Sequence, residues 1–295
     1  MFSGVFTALV TPFTRSGAVD EARLRDLVES QIAAGVDGLV PCGTTGESPT
    51  LSHAEHNHVV ELVVKFAAKR CRVIAGTGSN CTDEAIAMTR HARDVGADAS
   101  LQVAPYYNKP TQAGLYAHFV AIADAIPELP MILYNIPGRC GVDIANETIA
   151  RLRRDRPRQV VGLKEATGNV DRVSQLRMLV DDEFCILSGD DALTLPMMVV
   201  GARGVISVAS NVAPREMGEL VGSALRGDYA TAAKHHARLY PLFKDLFIET
   251  NPGPVKAALA MRGQIEEVYR LPLVPMAESN RKQLQQTLQR LGLLK

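Results

Sequence analysis

Short apolar runs alternate with longer stretches of helical periodicity along most of the chain. The stretches place apolar residues three and four positions apart, as in an amphipathic helix, whereas the runs are typical of buried parallel strands. The pattern predicts strands at residues 2–10, 38–41, 72–75, 99–104, 131–134, 160–164, 184–188 and 204–207. It predicts intervening helices at residues 21–34, 54–69, 82–95, 112–126, 147–154, 170–179, 193–200 and 215–225.

These eight strand–helix units predict an α/β fold of the (β/α)8 TIM-barrel type. A doubly wound sheet fits less well because no G-x-G-x-x-G pattern follows the first strand. The rest of the chain has helical spacing and no strand pattern, with helices predicted at residues 229–247, 254–262 and 276–293. We therefore expect a catalytic barrel domain at 1–225 and a small C-terminal helical domain at 226–295.

The composition narrows the class of partner. The 295 residues carry 32 basic and 32 acidic side chains, and this balance argues against nucleic acid or an anionic membrane as a partner. No apolar run approaches the ~18–20 residues of a membrane-spanning helix. The five cysteines are odd in number, widely spaced and without a C-x-x-C pair, which is typical of reduced thiols. The sequence begins without a basic segment followed by an apolar one, so we expect a cytoplasmic protein.

The sixth predicted strand ends at a lysine, Lys164. In a barrel, the side chains at the carboxyl ends of the strands converge on one site. The free amine of a lysine held there adds to a carbonyl to form an imine, so Lys164 is a candidate nucleophile. The alternative is a structural lysine that closes the strand and pairs with Glu165.

Other strand ends carry groups that suit a substrate with a carboxylate. After the second strand, the loop at residues 43–47 combines glycines and hydroxyls, so that its backbone N–H groups can point at one anion. This loop lacks the length and the lysine of a P-loop, which favours a carboxylate over a polyphosphate, although an ordinary tight turn remains the alternative. After the fifth strand, Tyr134 can transfer a proton and Arg139 can bind a carboxylate with two hydrogen bonds.

A lysine, a phenol, an anion cradle and an arginine together predict a Schiff-base aldol reaction on a 2-oxo acid. Such a reaction needs no cofactor, because the lysine itself provides the electron sink. Pyridoxal phosphate enzymes also use a lysine, but no phosphate cradle accompanies this one. His53, His56 and His58 are close in sequence, yet they have no matching carboxylate or cysteine set, so no metal site is expected.

Five segments carry a resemblance to a known family over nearly the whole chain. They are Gly43-Thr44-Thr45-Gly46-Glu47, Tyr106-Tyr107-Asn108, Tyr134-Asn135-Ile136-Pro137, Gly162-Leu163-Lys164-Glu165-Ala166-Thr167 and Asn251-Pro252. The set resembles the class I pyruvate-aldolase barrels, and within them the dihydrodipicolinate synthase family. Thr44 and Arg139 favour this family over the sialic-acid lyases, which have a serine in place of that threonine and lack the arginine.

The resemblance implies a condensation of pyruvate with L-aspartate 4-semialdehyde to 4-hydroxy-tetrahydrodipicolinate, in diaminopimelate and lysine biosynthesis. It implies that Lys164 forms the Schiff base and that Tyr134, Thr45 and Tyr107 relay protons. The residues it assigns to substrate binding are Thr44, Thr45, Arg139, Gly189 and Ile206. It also implies a homotetramer built as a dimer of dimers, with Tyr107 reaching into the neighbouring subunit's site.

A second set of polar residues is similar to the lysine-binding site at the dimer interface of lysine-sensitive synthases. The set is Ser48, His53, His56, Asn80, Glu84 and Tyr106. Within it, Glu84 can pair with an ammonium and Tyr106 can donate to a carboxylate. The alternative is structural, with Asn80 and Glu84 at a helix cap and the histidines on a polar helix face. The resemblance implies feedback inhibition by L-lysine, at a site away from Lys164.

Two other functions remain open. One is an aldolase of the same family acting on another aldehyde, such as an N-acetylneuraminate lyase or a 2-keto-3-deoxy sugar acid aldolase. Arg139 argues against it, because a neutral sugar acceptor offers the guanidinium no carboxylate. The other is a non-catalytic barrel that binds a 2-oxo acid, and the presence of every reactive group argues against that.

Overall fold

The computed structural model describes residues 2–294 and confirms the predicted TIM barrel. Eight parallel strands follow one another in chain order, and β8 pairs with β1 to close the barrel. The strands are β1 (Gly4–Ala8), β2 (Gly38–Val40), β3 (Arg72–Gly76), β4 (Ala99–Val103), β5 (Met131–Asn135), β6 (Val160–Glu165), β7 (Cys185–Ser188) and β8 (Gly204–Ser207). The helices are α1 (Glu21–Ala33), α2 (His53–Ala67), α3 (Thr82–Asp94), α4 (Gln112–Ala125), α5 (Pro137–Cys140), α6 (Asn146–Asp155), α7 (Asp171–Arg177), α8 (Thr194–Val199), α9 (Pro214–Leu225), α10 (Tyr229–Asp245), α11 (Gly253–Met261) and α12 (Glu278–Arg290).

The observed elements differ from the predicted ones mainly at their ends. β1 ends at Ala8, because the Val10 N–H donates to the Asn211 side chain (3.3 Å) and not to a neighbouring strand. The sequence pattern did not predict α5, a single helical turn directly after β5. Pro137 begins this turn, since its fixed φ suits the first position of a helix. The turn places Arg139 at the carboxyl end of the barrel.

Two apolar layers hold the barrel together. In the outer layer, the outward faces of the strands pack against the surrounding helices. The barrel interior is filled by Phe2, Phe6, Ala8, Val40, Ile74, Ala99, Leu101, Ile132, Tyr134, Cys185, Leu187 and Ile206. Tyr134 and Ile206 therefore belong to the interior layer. The polar groups at the strand ends lie next to this buried apolar layer.

A capping box fixes the start of α2. The Ser52 hydroxyl accepts from the Glu55 N–H (3.2 Å), and the Glu55 carboxylate accepts from the Ser52 N–H (2.9 Å). Such caps stabilise a helix by ~0.5–2 kcal/mol. The cap sets the orientation of the first turn of α2, which carries His53 and His56.

The C-terminal helical segment contacts the carboxyl end of the barrel at several points. Lys256 of α11 forms a buried ion pair with Glu47. The Arg270 guanidinium donates to both oxygens of the Glu55 carboxylate (2.9 and 2.5 Å). Through these contacts, the segment packs against the carboxyl end of the barrel. Within residues 2–294, no helix combines the length and the apolar character that crossing a membrane requires.

Candidate active site

A cavity of about 470 Å³ opens at the carboxyl ends of β2 to β5. Its lining includes eight of the site residues predicted from the sequence, namely Thr44, Ser48, His53, His56, Glu84, Tyr106, Tyr134 and Arg139. Residues of both the catalytic and the regulatory predictions thus line one continuous cavity, although the sequence suggested two separate places. Lys164 and Thr45 are not among its lining residues. Asn80 is not part of this lining, and its carbonyl accepts from the Asn108 side chain (2.9 Å).

Lys164 lies on β6, directly beside Tyr134 of β5. The two residues are partners in the strand register, and the Lys164 Nζ is 4.1 Å from the centroid of the Tyr134 ring. Lys164 is only 6% exposed. A Cβ added at Gly189 would meet the Lys164 Cε at 3.1 Å, tighter than an ordinary contact. The absence of a side chain at Gly189 therefore leaves the lysine its space.

Glu165 does not pair with Lys164, so the structural alternative considered for this lysine is wrong. The Glu165 carboxylate accepts from the Thr167 N–H (2.7 Å) and from the Arg172 Nε (3.4 Å). Alternation along β6 explains this, because consecutive side chains point to opposite faces of a strand. Lys164 points to the side of Tyr134, whereas Glu165 is held by the helix α7 that carries Arg172.

Two lysines are buried within residues 2–294, Lys164 and Lys256. Lys256 is fully buried and donates to the Glu47 carboxylate, so its amine is already engaged. Burial lowers the pKa of Lys256, and the negative charge of Glu47 opposes this effect. Lys164, in contrast, has no carboxylate within 4 Å in the part of the chain that the structure describes. The geometry therefore favours Lys164 as the nucleophile.

The loop at residues 43–47, here called the donor loop, offers three unoccupied backbone donors. The N–H groups of Gly46 and Glu47 donate within the loop, to the carbonyls of Gly43 (3.1 Å) and Thr44 (3.2 Å). Those of Gly43, Thr44 and Thr45 donate to no oxygen of residues 2–294. Adjacent free amides at the edge of a cavity are suited to hold one carboxylate.

Asn251 joins the donor loop to Arg139, and the sequence analysis did not single it out. Its side-chain amide donates to the Thr45 hydroxyl (3.0 Å), and its backbone carbonyl accepts from the Arg139 guanidinium (3.3 Å). Asn251 lines the cavity, and its side-chain oxygen has no partner within residues 2–294. The only signal in the sequence was its place in the segment Asn251-Pro252.

The predicted proton relay is not closed within one chain. The hydroxyl of Thr45 is held by Asn251, and Tyr107 is 89% exposed on the loop after β4. The backbone of Tyr107 is left-handed (φ +69°), which is uncommon for a residue with a large side chain. Tyr107 is absent from the cavity lining, whereas its neighbour Tyr106 belongs to it.

His56 is buried. The structural alternative, which placed it on a polar helix face, is wrong for this residue. Its Nε2 bonds the Gly76 carbonyl (2.8 Å), and a carbonyl oxygen only accepts, so the Nε2 carries the hydrogen. The Nδ1 is left as an acceptor and has no partner within residues 2–294. Burial lowers the pKa of His56, so that the ring is neutral near pH 7.

Glu84 lines the same cavity as His56. Its carboxylate accepts from the Ser79 hydroxyl (2.7 Å) and lies 3.9 Å from the His53 Nε2. A carboxylate and the open acceptor of a neutral imidazole together form a suitable environment for an ammonium group.

A family model described as the dihydrodipicolinate synthetase family matches residues 1–291. Two curated relatives named 4-hydroxy-tetrahydrodipicolinate synthase are similar to the chain over its full length. The protein from Syntrophus aciditrophicus is 52% identical over 294 residues, and the match covers 100% of both chains. The protein from Sulfurihydrogenibium sp. is 53% identical over 296 residues, again covering 100% of both.

Solved structures of similar proteins have the same fold. The 4-hydroxy-tetrahydrodipicolinate synthase of Methylacidiphilum fumariolicum aligns with a TM-score of 0.97 at 52% identity, over 99% of this chain and 96% of that one. The chloride-inhibited dihydrodipicolinate synthase of Acinetobacter baumannii, complexed with pyruvate, gives 0.97 at 45% identity over 100% of both chains. The enzyme of Cyanidioschyzon merolae with lysine bound gives 0.96 at 44% identity over 99% of both. The chain belongs to the dihydrodipicolinate synthetase family.

Proposed function

We propose that the chain condenses pyruvate with L-aspartate 4-semialdehyde through a Schiff base on Lys164 and yields 4-hydroxy-tetrahydrodipicolinate. The observation that carries this proposal is the position of Lys164, a buried lysine without a carboxylate partner that touches the Tyr134 ring. The similarity to synthases of that name along the whole chain supports the choice of reaction. The product is a precursor in diaminopimelate and lysine biosynthesis.

The first half of the reaction activates pyruvate. The Lys164 amine adds to the ketone, water leaves from the resulting carbinolamine, and loss of a methyl proton turns the imine into a nucleophilic enamine. The free N–H groups of Thr44 and Thr45 hold the pyruvate carboxylate and so orient the ketone towards the amine. Tyr134 is the nearest proton carrier, because its ring lies against the Lys164 Nζ.

The second half brings in the aldehyde. Arg139 lies at the mouth of the cavity and binds the carboxylate of aspartate semialdehyde, while the enamine carbon attacks the aldehyde carbon. The amine of the aspartate semialdehyde then adds to the imine carbon and displaces Lys164 as the ring closes. Gly189 and Ile206 bound the space around the reacting atoms, Gly189 beside Lys164 and Ile206 in the apolar floor.

The complete site needs a second copy of the chain. Tyr107 is exposed on its own barrel and is proposed to enter the site of a neighbouring subunit, where it joins Thr45 and Tyr134 in a proton relay. The smallest complete enzyme is then a dimer, and the proposed assembly is a homotetramer built as a dimer of dimers. The proposed location is the cytoplasm, where pyruvate and reduced thiols are both available.

The cavity region with Ser48, His53, His56 and Glu84 is proposed to bind L-lysine, the end product of the pathway. Glu84 pairs with one ammonium of the ligand, and the open Nδ1 of His56 accepts from it. Tyr106 donates to the ligand's carboxylate, and Asn80 contributes from the loop before α3. The lysine bound to the enzyme of Cyanidioschyzon merolae supports the choice of this ligand.

A coupled assay tests the proposal. Purified protein with pyruvate and aspartate semialdehyde should form product that dihydrodipicolinate reductase consumes with oxidation of its nicotinamide cofactor. The same preparation should leave N-acetylneuraminate uncleaved. Cleavage of the sugar acid without the condensation would assign the chain to the other branch of the aldolase barrels.

A further inference from the structure

A buried ion pair connects the donor loop to the C-terminal helices. The side chains of Glu47 and Lys256 are both 0% exposed, and the Lys256 Nζ donates to one oxygen of the Glu47 carboxylate. The other oxygen accepts from the Arg270 N–H (3.4 Å). The Lys256 Nζ also lies 4.3 Å from the centroid of the Phe13 ring, so an aromatic face covers a further side of the cation.

Stability alone is a weak reason for such a pair. Removing two charges from water is costly, and well-packed apolar residues of similar volume often stabilise a core equally well. The burial that lowers the pKa of Lys256 reflects this cost. A buried pair does, however, impose a direction and a distance that apolar contacts do not impose, which points to a geometric role.

The geometry concerned is that of the donor loop. Glu47 has a left-handed backbone (φ +54°), a conformation that strains a residue with a Cβ and persists only where the surroundings fix it. Cys42, directly before the loop, is also left-handed (φ +55°). The loop is therefore held between two strained residues, and the side chain of Glu47 is tied to Lys256.

The strained turn determines where the free amides point. With Glu47 in place, the N–H groups of Gly46, Glu47 and Ser48 all donate back to Gly43 or Thr44. That arrangement leaves the N–H groups of Gly43, Thr44 and Thr45 as the open donors, and the proposed function assigns the substrate carboxylate to those of Thr44 and Thr45. If the carboxylate of Glu47 were released, the turn could relax to an ordinary backbone conformation, and the two amides would lose their common direction.

We propose that Glu47 and Lys256 are a positioning pair that holds the donor loop in the conformation that binds the carboxylate of the 2-oxo acid. Both side chains are fully buried, so Glu47 acts through the backbone of the loop and Lys256 acts through Glu47. This inference rests on the proposed function, because it assigns the pyruvate carboxylate to the amides of Thr44 and Thr45.

Two variants test the pair. Glu47→Gln leaves a buried amine that can lose its proton and hydrogen-bond the new amide, so the core keeps a neutral contact. Glu47→Gln combined with Lys256→Met removes both charges and keeps similar volumes. The readout is the pyruvate concentration that gives half-maximal borohydride trapping on Lys164, together with the separate kcat and KM values for both substrates.

We expect both variants to need at least tenfold more pyruvate for half-maximal trapping. The KM for aspartate semialdehyde and the kcat at saturating pyruvate should stay within about twofold of the wild type. A matched control is Arg262→Met, since Arg262 at the end of α11 anchors the same helix to the Val212 carbonyl, away from the donor loop. This control should lower the thermal midpoint and leave pyruvate trapping unchanged.

The outcomes separate the two proposals. Wild-type pyruvate dependence in a folded Glu47→Gln protein would overturn the positioning role, and so would an equal loss in Arg262→Met. Absence of trapping in the wild type would instead overturn the Schiff-base function. If the double variant does not fold, Glu47→Gln alone decides.

Discussion

Lys164 and Tyr134 are register partners on neighbouring strands, and the amine nitrogen of the one lies 4.1 Å from the ring centroid of the other. The hydrogen-bond ladder between β5 and β6 fixes this proximity, because the pairing of Tyr134 with Lys164 continues to Asn135 and Glu165. A shift of one residue would turn one of the two side chains to the opposite face. The proposed nucleophile and the phenol proposed to carry its protons are thus positioned by the barrel itself.

The first prediction concerns covalent capture. Incubation with pyruvate and borohydride should add one reduced pyruvyl group, and peptide mass spectrometry should find it on Lys164. The peptide with the other buried lysine, Lys256, should stay unlabelled because that amine is bound to Glu47. Lys164→Arg should abolish trapping and keep the fold, since a guanidinium remains protonated. Labelling of any other lysine would remove Lys164 from its role.

The second prediction separates the two substrates. Arg139→Ala should lower kcat/KM for aspartate semialdehyde by an amount equivalent to on the order of 2–4 kcal/mol, the loss expected for a charge-assisted bidentate contact. Pyruvate trapping on Lys164 should remain nearly unchanged, because the imine forms before the aldehyde binds. Steady-state kinetics and trapping on the same preparation measure both effects. An equal loss in the two assays would mean that Arg139 is structural, through its bond to Asn251.

The third prediction tests whether Tyr107 crosses between subunits. Tyr107→Phe and Lys164→Ala should each be nearly inactive with the fold intact, because Tyr107 is exposed and Lys164 has no carboxylate partner to lose. Mixed oligomers of the two variants should regain activity, since one site in such a dimer contains both intact residues. The measurement is the specific activity after subunit exchange, confirmed by native mass spectrometry. Exchange without any recovery would place the function of Tyr107 outside the neighbouring site.

The fourth prediction is inhibition by L-lysine at millimolar concentration. Binding should weaken catalysis with a coupling of roughly 1–3 kcal/mol, the usual range for allostery. Glu84→Gln should raise the inhibitory concentration at least tenfold, because the ammonium loses its charged partner while the hydrogen bond from Ser79 can persist. Titration of wild type and variant with lysine measures both. Full activity of the wild type in saturating lysine would contradict the prediction and leave the catalytic assignment intact.

The fifth prediction uses the buried carboxyl of Asp191. Burial raises its pKa from 3.8 to about 6, although the Ser207 hydroxyl and the Ala209 N–H hydrogen-bond the carboxylate. Between pH ~4 and ~6 the folded chain keeps this proton and the unfolded chain does not, so this group contributes stability that is lost as the pH rises. Its full contribution is present below pH ~4, and the loss is complete above pH ~6.

Asp191→Asn should remove that dependence. The variant's free energy of unfolding minus that of the wild type should be larger at pH 7 than at pH 4, by roughly 3 kcal/mol. This figure corresponds to a shift of about two pKa units at 1.36 kcal/mol per unit. Urea unfolding at fixed protein concentration measures the difference. Asp190→Asn, the same change at the neighbouring half-buried residue, is the control. A difference between Asp191→Asn and wild type that does not vary with pH would contradict the assignment.

The sequence predicted the barrel well because each element is defined by local spacing. Lys164 lies on β6 as predicted, although the strand continues by one residue to Glu165. The short turn α5 was missed, since four residues that begin with proline carry no periodicity. The left-handed backbone of Tyr107 could not be predicted either, because the residue is not a glycine and nothing in the local pattern indicates that conformation.

Contacts between distant parts of the chain were beyond local patterns. Asn251 lies 206 residues from Thr45, and Lys256 lies 209 residues from Glu47. One signal for Lys256 was present, because this lysine interrupts the otherwise apolar residues 254–260. A lone charge in an apolar helix requires a buried partner, but the sequence did not reveal which carboxylate provides it.

The tie between Glu47 and Lys256 also orders events during protein synthesis. Chains emerge from the ribosome at ~5–20 residues per second, so the 209 residues that separate the two partners take roughly 10–40 s to translate. Throughout that interval, the loop proposed to hold the 2-oxo acid exists without the lysine that pairs with its Glu47. A nascent barrel can therefore close its strands before it is able to recognise its first substrate.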